Sequence, residues 1–479
     1  MGKIIEDMVI EQIYTGCLAQ GAYYVESDGE CIIIDPLREV NQYIEKAAEN
    51  GAKIKYILET HFHADFVSGH LELSKKTGAT IVFGPTAKPD FEALIAEDGQ
   101  LLEVGKLKIK VLHTPGHTME STTYLLIDEN GRDYCIFSGD TLFIGDVGRP
   151  DLAQKSDLTI EDLASYLFDS LRNKIMPLAD SVLVYPAHGA GSACGKNMSK
   201  ETFDTLGNQK MFNYALRANM TREEFIKEVT DGLELVPPPY YFPKNVMLNK
   251  TGAKDLEAVQ SLVQALSPAA FEAAANETGA VMIDTRHQNV FREAFIPNSI
   301  FIGIKGDFAP WVGTLLTDIE QPILLVTDEE NREEVITRLS RVGYDNIIGY
   351  LEGGLEAWTK AGKETDRVEY ISAQDFTEKF KSMDGKLQVK DVRKPTEYAA
   401  EHVEEAMNIP LANLSKNMAE FSKTEPNYVH CAGGYRSMIA VSILKSRGFD
   451  NVIDISGGFA ALSETDISKS DFVCQSKMK

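Results

Sequence analysis

One stretch of this chain occurs twice. IDTRHQNVFREAFIPNSIFIGI at 283–304 aligns without gaps with KDVRKPTEYAAEHVEEAMNIPL at 390–411, placing Asp284 on Asp391, Arg286 on Arg393, Phe291 on Tyr398 and Ile302 on Ile409. Further on, GYDNIIGYLEGG from Gly343 is echoed by GFDNVIDISGG from Gly448. A repeat of this kind restricts the C-terminal half to two copies of one fold of about 105 residues. Each copy is expected to open with a strand ending in Asp-x-Arg and to run through a helix-rich middle. A second apolar strand follows, ILLVTD in the first copy and YVHCAGG in the second, which makes an α/β pattern.

The N-terminal half has a different rhythm. Short apolar runs (YYVE, CIIID, YILET, TIVFG, IKVLH, TYLLI, then YCIFSGD and SVLVYPAHG) alternate with helical stretches such as EVNQYIEKAAENG and GHLELSKKTG, so a layered α/β arrangement is expected. A helical section, 201–232, leads into LVPPPYYFP. Successive prolines neither continue a helix nor pair inside a sheet, so a boundary is expected near residues 236–250. The expected domains are 1–250, 251–365 and 366–479, in keeping with a length of 479 residues, beyond the size of one core.

Lys and Arg number 48 against 72 Asp and Glu, a net charge of −24. A surface this acidic repels phosphate backbones and anionic headgroups, which argues against nucleic-acid binding. No run approaches the ~18 apolar residues of a membrane span, and MGKIIEDMVIEQIYTG lacks the basic start and unbroken apolar stretch of a secretion signal. A cytoplasmic protein without membrane partners is expected. The six cysteines, at 17, 31, 135, 194, 431 and 474, show no CxxC pairing and read as free thiols.

THFHADF at 60–66 places His61, His63 and Asp65 at alternate positions, which share a side in extended chain. His113 and His117 in VLHTPGHT, Asp140 in IFSGD and His188 in VYPAHG also follow strand-like runs, so five of the nine histidines fall in these loops. A lone histidine reads as a packed or surface residue; the set reads as a metal constellation. Phe66 stands where a further ligand is expected, and a phenyl ring cannot ligate.

These motifs resemble the metallo-β-lactamase superfamily pattern, HxHxDH followed by a TPGHT-type histidine, a GD aspartate and a late histidine, over roughly residues 5–200. The resemblance implies an αββα sandwich. Its persulfide dioxygenase branch is the nearer match, and it implies one mononuclear Fe(2+) held by His61, His117 and Asp140, with His63, Asp65 and His188 supporting those ligands. Two imidazoles and a carboxylate on one face of an ion leave positions for dioxygen and a sulfur substrate. Arg149, in GDTLFIGDVGRPDL, resembles the arginine that meets the anionic part of the thiol; a surface ion pair is the plainer reading. The chain continues PAH with GAGSACGK, where glutathione-using members have Asp-Tyr, so the carrier thiol stays open. Cys194 lies in that loop among small residues that suggest access, and reads either as a receiver of sulfane sulfur or as a small buried residue.

HCAGGYRS at 430–437 follows a strand and precedes the helical SMIAVSILKSRG. Backbone N–H groups, a helix start and Arg436 around Cys431 are expected to lower the thiol pKa and to stabilise a persulfide. The loop resembles the Cx4R site of rhodanese sulfurtransferases, supported by DVR at 391–393 and SGGF near 456; cysteine phosphatases use HCx5R, one residue longer. In the first copy, PILLVTDEENR sets Thr327 where Cys431 stands and Glu329 and Glu330 on the glycines, so residues 265–365 are expected to be an inactive spacer or docking module. The whole resembles fusions of a persulfide dioxygenase with two rhodanese-like domains with parallel sheets. That implies a thiol persulfide and O2 as substrates, sulfite or thiosulfate as products, and a setting of sulfide detoxification. A homo-oligomer is expected. Two rivals stand beside this reading: a zinc thioester hydrolase of the glyoxalase II class with an attached sulfurtransferase, and a non-enzymatic persulfide sensor or carrier.

Overall fold

The computed structural model describes residues 3–5, 8–152, 158–196, 198–233 and 238–473, which group into two compact units. The first holds residues up to Val259 together with Thr317–Ile319 and Leu339–Tyr344; the second holds the remainder.

Two sheets face each other in the first unit. The strands of one run in chain order: Lys3–Ile5, Met8–Thr15, Gln20–Ser27, Glu30–Ile34, Lys53–Leu58, Thr80–Phe83 and Leu94–Ile95. In the other the order is Asp204–Thr205, Leu183–Pro186, Asp133–Gly139, Thr122–Ile127, Leu107–His113 and Leu101–Val104. Alternation decides the packing, because every second residue points inward. Tyr23, Val25, Ile32 and Leu58 meet Ile109, Val111, Tyr124 and Phe137 between the sheets. The opposite faces bury Ile33 and Ile57 under helices Asn41–Glu49 and His70–Thr77, and Ile136 and Val184 under helix Ile160–Ser170. This is the αββα sandwich.

The helix beyond the prolines, Phe242–Thr251, belongs to the first unit, and buries Asn245 and Asn249. The chain leaves that unit only after Val259. Side chains of this helix serve the histidine loop, as described below, and no local signal announces that.

The second unit contains two five-stranded sheets of identical topology. Their orders are Gln264–Leu266, Ile347–Leu351, Ile323–Val326, Val281–Asp284, Ile300–Phe301, and Glu369–Ile371, Val452–Ile455, Asn427–His430, Gln388–Asp391, Met407–Asn408, with every pairing parallel. The Asp-x-Arg strand does not open either copy: a short strand and a helix precede it and lie toward the other edge. The copies share a core in which Phe291, Phe295 and Phe301 of the first pack with Ile409, Met438 and Val441 of the second. Among the described residues no helix is long and apolar enough to cross a membrane.

Candidate functional site

The four loops carrying the histidine and aspartate motifs leave the ends of strands Lys53–Leu58, Leu107–His113, Asp133–Gly139 and Leu183–Pro186. They bring His61, His117 and Asp140 together, one donor atom from each lying within 4.8 Å of the others, all buried. His61 Nε2 is 3.9 Å and His117 Nε2 3.4 Å from Asp140 Oδ2, and that oxygen has no hydrogen-bond partner. A buried, unsatisfied carboxylate oxygen facing two imidazoles is costly unless something binds it. Spacings of this size suit donors about 2.1 Å from one shared ion. Two imidazoles and a carboxylate therefore fit a metal.

Neighbouring groups decide which nitrogen each ring offers. Thr60 Oγ1 donates its proton to Asp35 Oδ2 at 2.8 Å, so its contact with His61 Nδ1, 3.0 Å, has the ring donating. His117 Nδ1 donates to the Arg149 carbonyl at 2.8 Å. Both rings thus turn a bare Nε2 toward Asp140. Burial, followed by the His63 charge, holds the His61 pKa well below its ordinary value. Gly148 is required where the chain passes over the site, since a Cβ there would stand 2.0 Å from the Asp140 carbonyl oxygen.

His188 lies behind the carboxylate. Its Nδ1 is 2.8 Å from Asp140 Oδ1 and its Nε2 2.8 Å from Asp65 Oδ2. Burial disfavours the cation, yet the two carboxylates outweigh it and raise the His188 pKa well above its usual value. Asp140 is held well below the usual carboxylate range, His188 and His117 overcoming the effect of burial. Cys194 joins this group: its sulfur, Asp65 and His188 form a second buried cluster within 4.8 Å. The flanking small residues suggested access, but Cys194 is 1% exposed, because the loop folds its thiol inward while its carbonyl accepts from Arg149 N at 3.0 Å. Burial, then Asp65 and Asp140, push that thiol pKa well up.

His63 turns away from Asp140. Its Nε2 is 3.0 Å from Asp35 Oδ1 and 3.6 Å from Glu59 Oε2, all buried, and its ring stacks on Phe66 with centroids 4.3 Å apart. Burial lowers its pKa, but Asp35 and Glu59 outweigh that and raise it to about 9. Asn249 pins the loop, donating to the carbonyls of His63 and Phe66 at 2.8 Å and accepting from Ser68 N at 2.7 Å. His113 faces elsewhere, against the Met119 carbonyl at 2.9 Å. The Arg149 side chain is buried and committed to Asp151, at 2.9 and 2.7 Å; its backbone, on both sides of the peptide, serves His117 and Cys194.

Asp35, Glu59, Thr60 and Asn249 were not singled out in the sequence. Asp35 and Glu59 do sit at strand ends, as the ligands do, and that signal was available. For Asn249 none exists.

In the second copy, strand Asn427–His430 delivers Cys431 to the start of helix Tyr435–Ser446. Gly434, at φ +101°, turns its N–H onto Cys431 Sγ at 3.1 Å. Arg436 makes two bonds to Glu397, 2.6 and 2.8 Å, so its charge reaches the loop already balanced. The SGGF segment supplies Phe459 N to the Cys431 carbonyl at 2.7 Å and Ala460 N to that of Ala432 at 2.9 Å. The described cysteines, 17, 31, 135, 194 and 431, are free thiols; Cys474 lies outside the described residues.

Comparison with known proteins adds the following. The metallo-beta-lactamase superfamily matches residues 15–188, and the rhodanese-like domain matches 267–361 and 373–465. The chain is 30% identical over 211 residues, 44% of itself and 74% of the relative, to a mitochondrial persulfide dioxygenase, ETHE1, of Bos taurus. It is 25% identical over 200 residues, 37% of itself and 89% of the relative, to the hydroxyacylglutathione hydrolase GloC of Haemophilus influenzae. A crystal structure of a metallo-beta-lactamase from Staphylococcus aureus superposes with a TM-score of 0.64 at 30% identity, covering 72% of this chain and 99% of that one.

Proposed function

Because the chain belongs to the metallo-beta-lactamase superfamily and carries two rhodanese-like domains behind that fold, we propose that it is a persulfide dioxygenase coupled to a sulfurtransferase. One thiol persulfide, one dioxygen and one water would give the thiol, sulfite and two protons. The observation that carries this reading is the buried trio His61, His117 and Asp140, while Phe66, standing in the sequence where the family motif has a further histidine, stacks on His63 and offers no donor. A bound ferrous ion would supply the electron transfer to dioxygen that zinc does not.

The chain's own groups would hold and orient. Thr60 and the Arg149 carbonyl fix the tautomers of His61 and His117; His188 keeps Asp140 ionised and ties it to Asp65. Asp65 Oδ1 lacks a partner and would accept a proton from water or from the persulfide. Cys194, closed off beside it, would support Asp65 and His188 rather than receive sulfane sulfur. At the second centre, Cys431 thiolate attacks the sulfane sulfur of a donor, the donor's thiolate leaves, and a persulfide remains on Cys431. Sulfite attack on the outer sulfur then forms the new S–S bond of thiosulfate and returns the Cys431 thiolate.

Oxygen uptake by iron-loaded protein with a low-molecular-weight thiol persulfide tests the reading. Equal turnover without dioxygen would end it. The hydroxyacylglutathione hydrolase relative supports the rival, a zinc thioester hydrolase with an attached sulfurtransferase; metal analysis with a lactoyl-thiol assay separates the two.

A further inference from the structure

Tyr435, the last residue between Cys431 and Arg436, reaches out of its own copy. Its hydroxyl donates to the carbonyl of Gly303 in the first copy at 2.7 Å. Its ring meets Phe301 edge-on, centroids 5.6 Å apart, and lies so close over Gly306 that a Cβ there would stand 2.3 Å from it. The same ring walls a cavity of about 90 Å³ whose other walls include Arg286, Ile304, Lys305, Asp328 and Asn331. This cavity lies between the Asp-x-Arg strand end and the 327–332 loop, the first copy's counterpart of the cysteine site. About two turns along the same helix, Ser442 Oγ accepts from Phe301 N at 3.0 Å.

The cysteine loop needs such an anchor. Gly433 and Gly434 have nothing within 4 Å of a built Cβ, so no packing of their own holds them, and glycines lose the most conformational entropy on ordering. One end of the loop is tied by Phe459 N and Ala460 N; the other is tied by Tyr435. We propose that the cysteine-less copy is the positioning element of the sulfurtransferase site: its disused cleft is a socket for Tyr435, and the seated ring holds Gly434 N–H on Cys431 Sγ. Tyr435 is thus a positioning residue, and the first copy has a task that needs no nucleophile. The inference rests on the reading of Cys431 as a sulfur carrier.

The test uses the full chain and the variants Gly306→Ala, Tyr435→Ala, Tyr435→Phe and the Gly306→Ala/Tyr435→Ala double. Two readouts are followed: sulfur transfer from thiosulfate to cyanide, and the pH profile of Cys431 alkylation by iodoacetamide, measured by peptide mass spectrometry. Gly306→Ala and Tyr435→Ala should each lower kcat at least about tenfold, as small misplacements of reacting groups do, and move the alkylation profile to higher pH. Tyr435→Phe, losing one hydrogen bond, should cost about threefold. Adding Gly306→Ala to Tyr435→Ala should change nothing more, since the new methyl then has room. Parent-like kcat and alkylation profiles in the single variants, or fully additive effects in the double, overturn the proposal. If Gly306→Ala does not fold, the two Tyr435 variants decide alone, a parent-like alkylation profile in both overturning it. If the parent transfers no sulfur while its alkylation profile still responds to these substitutions, the socket stands and the sulfurtransferase reading falls.

Discussion

The two rhodanese-like copies agree in their frame and part in one loop. In the first, Arg286 binds Asp284 at 2.9 and 2.6 Å and the Ala294 carbonyl at 2.9 Å; in the second, Arg393 binds Asp391 at 3.0 and 2.6 Å and the Glu401 carbonyl at 2.8 Å. Both pairs are buried, and both lock the strand end to the helix that follows. At the loop the likeness stops. Residues 329–331 form a 3-10 turn, and no residue from 327 to 332 takes a left-handed backbone, whereas Gly434 does. Arg332 stacks over Tyr350 at 4.5 Å, while Arg436 pairs with Glu397. By sheet register Tyr350 stands where the second copy has Asp454, which accepts from Ser437 at 2.7 Å; a bulge between Ile323 and Leu324 absorbs the additional residue of the first copy. The difference teaches that the shared frame is kept by its buried ion pair, and that the copies part at the loop where one carries Cys431 and the other Thr327.

Replacing the nucleophile has the largest expected effect. Cys431→Ser should abolish sulfur transfer, scored as loss of the persulfide-bearing peptide, and leave oxygen uptake at least partly intact; a variant that loses iron would break the separation of the two centres. Arg286→Ala and Arg393→Ala come next. Each strands a buried carboxylate, so each should cost about 3–5 kcal/mol in denaturant unfolding, and markedly unequal losses would break the equivalence of the frames.

A smaller effect separates the copies by pH. Burial raises the Asp454 pKa to about 6, against the opposing Ser437 bond. The folded chain then binds more protons than the unfolded one between about pH 4 and 6, so stability should fall as pH rises through that window, by on the order of 3 kcal/mol. Asp454→Asn should flatten the slope; an unchanged slope would place its origin elsewhere. The smallest effect is expected from Thr327→Cys in the Cys431→Ser background: no recovered transfer, because Glu329 and Glu330 stand where an anion needs N–H donors. Recovery would show that the first loop is closer to active than its geometry indicates.

Much of this was legible beforehand. The gapless match of Asp284 with Asp391 announced two sheets, and they have one strand order. The apolar runs of the first half became strands, with the motif histidines at their ends. What misled was the expectation that Asp-x-Arg strands open their copies, since the preceding strands have only three residues each and offer too little alternation to notice. Small residues around Cys194 suggested access, but a loop that folds back on Arg149 closes it.

From the sequence alone came the repeat, a layered α/β arrangement, a set of histidines and aspartates at strand ends and the Cys431 loop, because periodicity and strand-end placement are local properties; the choice of His61, His117 and Asp140 within that set came from the family resemblance. Tertiary structure decided that His63 faces Asp35 and Glu59, that Arg149 serves through its backbone, that Asn249 pins the histidine loop, and that Tyr435 seats against Gly303. Each depends on a partner far along the chain. The direction of a side chain is set by whichever distant donor, acceptor or ring the fold brings beside it, and no spacing of residues carries that information.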